Sequence, residues 1–179
     1  FQAVSMLGKA AEPELAAAYG LGDVILLRSL FFRVTRLALW SGLGLTLLLA
    51  LAGPAILTVW THGKVDFQPG LFAWLFASGV LALLWNPGFA VLQAANQHMR
   101  VSLLFMGAAA VSVGASALLT AITHSIAAAG GGLLLLDIAM LAIALPPAAA
   151  LAGTSPTRLL RFALDARPLG RTAVGLLRG

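Results

Sequence analysis

One carboxylate lies inside a long apolar stretch of this sequence and is the first candidate for chemistry. Asp137 occurs in GGGLLLLDIAMLAIALPP and is the only formally charged residue within the stretches that we predict to cross a membrane. A carboxylate at the centre of a membrane helix costs roughly 2.5–3.5 kcal/mol on insertion scales and usually faces other helices or water. We predict that Asp137 belongs to an ion pathway or lines a substrate cavity. The alternative is a structural carboxylate that lies within about two turns of the outer helix end and is reached by water.

The second candidate is an amide followed by a proline. Asn86 and Pro87 occur in LLWNPGFAVLQAANQHMR. A proline inside a helix removes one hydrogen bond and bends the helix, and transporters use broken or bent helices around their cavities. We therefore predict that Asn86 lies on the substrate pathway and that Pro87 is a gating kink, with Gly53 and Pro54 forming a similar kink. The alternative is a static kink in which the Asn86 amide bonds a neighbouring helix.

The amino-acid composition indicates whether these residues lie in a soluble protein or in a membrane. The chain has 179 residues, of which 60% are hydrophobic and 9% are charged, whereas soluble domains carry roughly 25% charged residues. Residues 67–99 and 101–136 contain no Asp, Glu, Lys or Arg. Since about 20 apolar residues in a helix cross the hydrocarbon core, the sequence predicts an integral membrane protein. It contains no cysteine, which excludes disulfides and thiolate metal sites.

We predict an all-α fold with four transmembrane helices. Residues 1–36 should form a cytoplasmic segment whose helix, capped by Asp23 and starting at Val24, leads into the first span. Pro13 suits the first turn of an earlier helix. Residues 153–179 should form a basic cytoplasmic tail, with a helix capped by Ser155 that lies on the membrane surface. The alternative is a solvated tail that has no specific partner. The four spans are predicted at about residues 37–60, 71–94, 101–123 and 127–152.

The basic residues orient the predicted spans. Ten of the eleven Lys and Arg residues fall on one side of the membrane, and only Lys64 falls on the other. The positive-inside rule makes the basic side, with both ends of the chain, cytoplasmic. A net charge of +5 therefore reflects topology and not binding to nucleic acid, because the basic residues sit at the edges of apolar stretches.

Polar residues at the cytoplasmic end of the second span, with Arg36 before the first span, predict the mouth of the pathway. This mouth would contain Arg36, Asn96, His98 and Arg100. The alternative is that the polar cluster only anchors the helix end at the membrane interface. A metal site of three histidines is excluded, because His62 and His124 are predicted on the opposite side from His98. We also predict no enzymatic activity and no cofactor, because the sequence has no phosphate loop and no nucleophile with a base at a useful spacing.

Small residues in the third span predict a packing helix. Gly107, Ala110 (or Val111) and Gly114 would let a neighbouring backbone approach closely, and close packing drives helix association in lipid.

Three longer segments resemble a known family. AAAYGLGDVILLRSLFFRVTRL, ILTVWTHGKVDFQPGLF and LWNPGFAVLQAANQHMR are similar to segments of lipopolysaccharide and O-antigen flippases. These flippases form the polysaccharide biosynthesis branch of the multidrug/oligosaccharidyl-lipid/polysaccharide (MOP) exporter superfamily. The resemblance runs from about residue 10 to residue 152 and implies the C-terminal part of a transporter. The four spans would then belong to the C-terminal bundle of a MOP or MATE-like fold.

The resemblance also implies a substrate and a location. The substrate would be an oligosaccharide on polyprenyl pyrophosphate, flipped across the bacterial inner membrane through a cavity that opens alternately to each side. Membrane lipid, the lipid-linked sugar and other membrane proteins of polysaccharide assembly would be the partners. The four predicted spans contain no Arg or Lys, so the main contacts to an anionic pyrophosphate would lie in a part that precedes this chain.

Two alternatives remain open at this point. A MATE-type exporter of small organic cations, coupled to sodium ions or protons, would use Asp137 as its coupling residue. A membrane scaffold that transports nothing would dock partners through the basic tail. The scaffold predicts that replacing Asn86, Pro87 or Asp137 changes stability alone.

Overall fold

A computed structural model describes the backbone of residues 2–165 and the side chains of residues 10–165. Every regular element in this range is an α-helix, as predicted. The predicted basic tail beyond residue 165 lies outside the described residues. The helices are α1 (Gln2–Gly20), α2 (Val24–Thr61), α3 (Pro69–Ala94), α4 (His98–Thr123), α5 (Ile126–Leu151) and α6 (Pro156–Leu164).

Four of these helices, α2 to α5, are long and apolar enough to cross a membrane. A helix of 26 residues, the length of α3, α4 and α5, is about 39 Å long, which exceeds the thickness of roughly 30 Å of a hydrocarbon core. The 38 residues of α2 reach well beyond one edge of that core. The prediction of an integral membrane protein with four spans agrees with these helices.

The helix ends follow local sequence. The side chain of Asp23 accepts a hydrogen bond from the Leu26 amide at 2.8 Å and caps α2, as predicted. Ser155 caps α6 in the same way through the Arg158 amide. Pro13 does not begin a helix but lies inside α1. This prediction was wrong because most residues before Pro13, among them three Ala with Met6, Leu7 and Lys9, favour helix, and proline removes only one backbone hydrogen bond.

The central helix is α3, which packs on α5 along one side and on α2 along another. α4 packs on the far side of α5, α1 lies against α2 and α3, and α6 rests on α2 and α5. The end of the bundle that carries residues 20–36, 94–100 and 152–165 is called the basic end below. Among the described residues, the largest buried cluster joins all six helices, with fully buried Leu15, Phe31, Val91, Ala148 and Leu159.

Helices α4 and α5 are joined by two serine hydroxyls. Ser112 Oγ donates to the Gly132 carbonyl at 2.6 Å, and Ser116 Oγ donates to the Ala129 carbonyl at 2.8 Å. The predicted packing stripe of Gly107, Ala110 (or Val111) and Gly114 was wrong, since all of these residues are exposed. The hydroxyls turn a different face of α4 toward α5, because a hydrogen bond to a backbone carbonyl adds to packing in lipid.

A Gly132→Ala substitution is predicted to destabilise the α4–α5 contact. A Cβ at this position would lie 2.5 Å from the backbone oxygen of Ser112 and would collide with Ser116 Oγ, so we expect a loss of about 1–3 kcal/mol. The matched control is Gly114→Ala, whose Cβ would meet nothing within 4 Å. That substitution should stabilise by roughly 0.5–1 kcal/mol. Unfolding in mixed micelles, followed by circular dichroism, measures both, and equal effects of the two substitutions would contradict the packing described.

Candidate functional site

Asp137 lies in the middle of α5 and is bonded to α3. It is about three turns from the start of the helix, and its side chain is only 5% exposed. Oδ1 accepts a hydrogen bond from Trp85 Nε1 at 2.8 Å, and Oδ2 accepts one from Ser78 Oγ. The alternative interpretation placed Asp137 within about two turns of the helix end, where water would reach it. The carboxylate lies deeper than that.

The spacing of the two donors explains why they meet one carboxylate. Ser78 and Trp85 are seven residues apart, which is about two helical turns, so both face α5. Gly88 continues this face, and a Cβ built on it would lie 3.4 Å from the Ala148 Cβ of α5. A small residue at this position therefore lets the two helices approach closely while the donors reach the carboxylate.

The Trp85 indole is fixed by more than its hydrogen bond. Its ring centroid lies 6.4 Å from that of Phe89 in an edge-to-face arrangement and 6.3 Å from that of Phe105 on α4. Aromatic pairs at such distances are favourable. The indole N–H is thereby held in the orientation that donates to Asp137, and one side chain connects α3, α4 and α5.

Both hydrogen-bond partners of Asp137 are neutral groups, a hydroxyl and an indole N–H. Each carboxylate oxygen accepts one hydrogen bond and has further acceptor capacity. Within residues 2–165 there is no group of three His, Asp or Glu residues that could hold a metal ion. The arrangement ties α3 to α5.

Asn86 lies on another face of α3. Its Nδ2 donates to the Ala82 carbonyl of the same helix at 2.9 Å, so the alternative of a bond to a neighbouring helix was wrong. Asn86 lines a cavity of about 230 Å³ between α2 and α3, together with Thr46, Phe76 and Gly79. Asp137 is not among the residues that line this cavity, so the structure does not bring the two predicted pathway residues together.

The predicted kinks lie inside helices that continue past them. Pro87 is buried in α3, and Pro54 lies in α2 beside buried Gly53. Thr58 Oγ1 donates to the Pro54 carbonyl at 2.9 Å. Each proline leaves the carbonyl four residues earlier without its usual donor. A gating role for these positions stays a prediction.

The residues predicted at the cytoplasmic mouth have separate surroundings. Asn96 has φ 54°. Its backbone N–H donates to the Gln93 carbonyl, and the backbone N–H of Gln97 donates to the Leu92 carbonyl. This is the usual turn that ends a helix with a left-handed residue, so Asn96 terminates α3. His98 Nδ1 is buried without a partner among the described residues. Arg100 is exposed and borders a second cavity.

Arg36 holds the last turn of α6. Its Nη2 donates to the Phe162 carbonyl at 3.0 Å, and its Cζ lies 3.7 Å from the centre of the Phe162 ring. Trp40 Nε1 donates to the Ala163 carbonyl at 3.0 Å. The last carbonyls of a helix lack internal donors and carry partial negative charge, so a guanidinium and an indole N–H suit them. α6 is thus docked on α2.

Sequence reasoning found Asp137 but missed Ser78, Trp85 and the docking of α6. The available signals were spacings. Ser78 and Trp85 are the hydrogen-bond donors seven residues apart on an apolar helix, and Arg36 and Trp40 are donors one turn apart. Neither pair identifies its acceptor, because the acceptor lies on an element distant in the sequence.

Comparisons with known protein families, with curated proteins and with solved structures gave no match to this chain.

A Trp85→Phe substitution is predicted to destabilise the protein by about 1–2 kcal/mol. Phenylalanine keeps much of the aromatic packing but removes the N–H that donates to Asp137. The matched control is Trp74→Phe, at a tryptophan that is 40% exposed and should lose no more than about 0.5 kcal/mol. Unfolding in mixed micelles measures both. Equal costs would show that the hydrogen bond to Asp137 contributes nothing.

Proposed function

We propose that this chain forms part of a membrane transporter that flips a lipid-linked oligosaccharide between the two leaflets by alternating access. The observation that carries transport is the buried carboxylate of Asp137 between two proline-bearing helices, α3 and α5. Ionisable side chains in the middle of membrane helices are expensive and mark substrate or ion pathways. The sequence resemblance to O-antigen flippases of the MOP superfamily supplies the substrate class.

In this proposal the α3–α5 contact is the part that must change. An opening between these helices breaks the hydrogen bonds from Ser78 and Trp85 to Asp137. The exposed carboxylate then takes a proton or a cation, which offsets the loss of the two donors. Asp137 would therefore couple the opening to pH or to an ion gradient, while Asn86 lines a separate cavity.

The proposal places the protein in the bacterial inner membrane with the basic end in the cytoplasm. The charge distribution supports this orientation, because Arg33, Arg100, Arg158 and Arg161 are exposed at the basic end and Lys64 is at the other. Loops rich in Lys and Arg stay on the cytoplasmic side. The four helices would form part of the C-terminal bundle of a MATE-like fold.

A second candidate function is supported by the sign of the buried charge. The stretches predicted to span the membrane contain a carboxylate and no basic residue, which suits a cationic substrate better than a pyrophosphate. This candidate is a MATE-type exporter of small organic cations coupled to protons or sodium ions. Such an exporter would also use Asp137, but it would move small organic cations instead of a lipid-linked oligosaccharide.

A flipping assay with the Asp137→Asn variant tests the proposal. Proteoliposomes would carry a polyprenyl-pyrophosphate-linked oligosaccharide with a fluorescent sugar, and an impermeant quencher would report the leaflet. We expect the transporter that contains this chain to move the lipid with a rate that depends on pH. Asp137→Asn should slow it at least about tenfold and remove the pH dependence. Asp66→Asn is the matched control, because Asp66 is exposed in the loop between α2 and α3.

The outcomes separate the candidates. The exporter would be favoured if vesicles with the wild-type protein flip the lipid-linked oligosaccharide no faster than protein-free vesicles but accumulate an organic cation under a proton gradient. Normal flipping with unchanged pH dependence in Asp137→Asn would remove Asp137 from the mechanism. A chain that moves neither substrate, and whose Asp137 variants change stability alone, would fit the scaffold.

A further inference from the structure

A second cavity lies between α3, α4 and α5 at the basic end. It has a volume of about 400 Å³, and its lining is apolar apart from Gln97 and Arg100. The apolar wall consists of Leu92, Val101, Leu104, Ile143 and Pro147. This cavity is distinct from the Asp137 site, and it shares no lining residue with the cavity between α2 and α3.

The polar groups of this cavity have a definite chemistry. Arg100 and Gln97 are among the residues that line it. Gln97 Nε2 donates to the Tyr19 hydroxyl at 3.3 Å and has a second N–H to offer. A ligand that fills the cavity therefore has a guanidinium and an amide among the residues around it.

With α4 and α5 across the membrane, as proposed above, the cavity would lie near the boundary between headgroups and hydrocarbon. Arg100 lies in the first turn of α4, and Leu104 lies one turn deeper. Ile143 lies about two turns from the end of α5. A molecule here would place an anionic group at the level of Arg100 and an apolar chain beside Leu104. Basic pockets between membrane helices on the cytoplasmic side bind anionic lipid headgroups.

We propose that this cavity binds an anionic phospholipid, with its phosphate at Arg100 and Gln97 and the start of an acyl chain against Leu104 and Ile143. The bound lipid would fill the space between α3, α4 and α5 at the basic end. The proposal does not depend on which substrate the protein transports. It identifies Arg100 as a lipid-binding residue instead of a residue of the substrate pathway.

Native mass spectrometry of the full chain in detergent tests the proposal with phosphatidylglycerol as the probe. Arg100→Gln should weaken the binding of one phosphatidylglycerol about fivefold or more. Arg33→Gln is the matched control, because Arg33 is exposed at the same end of the bundle and does not line the cavity. Leu104→Trp should also weaken binding, because it fills the apolar part while Arg100 remains. Leu104 is 45% exposed, so the fold should accept this change.

Phosphatidylcholine and inorganic phosphate identify the source of the anion. The proposal expects both to bind more weakly than phosphatidylglycerol, and it expects millimolar phosphate not to displace the lipid. Equal loss of phosphatidylglycerol in Arg100→Gln and Arg33→Gln would reduce the effect to general surface charge and overturn the proposal. Displacement by phosphate, or normal binding by Leu104→Trp, would also overturn it, because the site would then bind a free anion without a chain.

Discussion

This arrangement of helices depends on two hydrogen bonds that the Asp137 carboxylate accepts from donors on α3. In hydrocarbon no water is available, so a carboxylate on α5 must find its donors on a neighbouring helix. Ser78 and Trp85 supply one hydrogen bond to each oxygen. Two bonds separated by two turns of α3 fix both the rotation and the height of α3 against α5. Gly88 lets the backbones approach at the next turn.

The position of α3 organises the remaining helices. One face of α3 bonds Asp137, another encloses a cavity against α2 that contains Asn86, and its last turns share a second cavity with α4 and α5. α4 is held on α5 by the hydroxyls of Ser112 and Ser116. At the basic end α6 is fixed by Arg36 and Trp40. Directional hydrogen bonds thus determine which apolar surfaces meet, because apolar contact alone selects weakly among helix faces in lipid.

The sequence was sufficient for the features that depend on local chemistry. Apolar length and charge placement predicted the four spanning helices, and Asp23 and Ser155 cap α2 and α6 as their positions suggested. The failures concern faces and partners. Gly107 and Gly114 were expected at an interface, yet they are exposed, because Ser112 finds an acceptor on α5. Asp137 was recognised as unusual, but its donors could not be, since the pairing of α3 with α5 is not encoded within either helix. The proposed mechanism centres on Asp137 because this residue lies at the contact between α3 and α5, and not because of the volume of either cavity.

A double-mutant cycle between Trp85→Phe and Asp137→Leu tests most directly whether this bond couples the two helices. Each single variant and the double variant would be unfolded in mixed micelles. We expect the double variant to lose less stability than the sum of the single losses, with a coupling of about 1 kcal/mol, within the range for hydrogen bonds between membrane helices. Losses that add to within about 0.3 kcal/mol would contradict the account, because the indole and the carboxylate would then act independently.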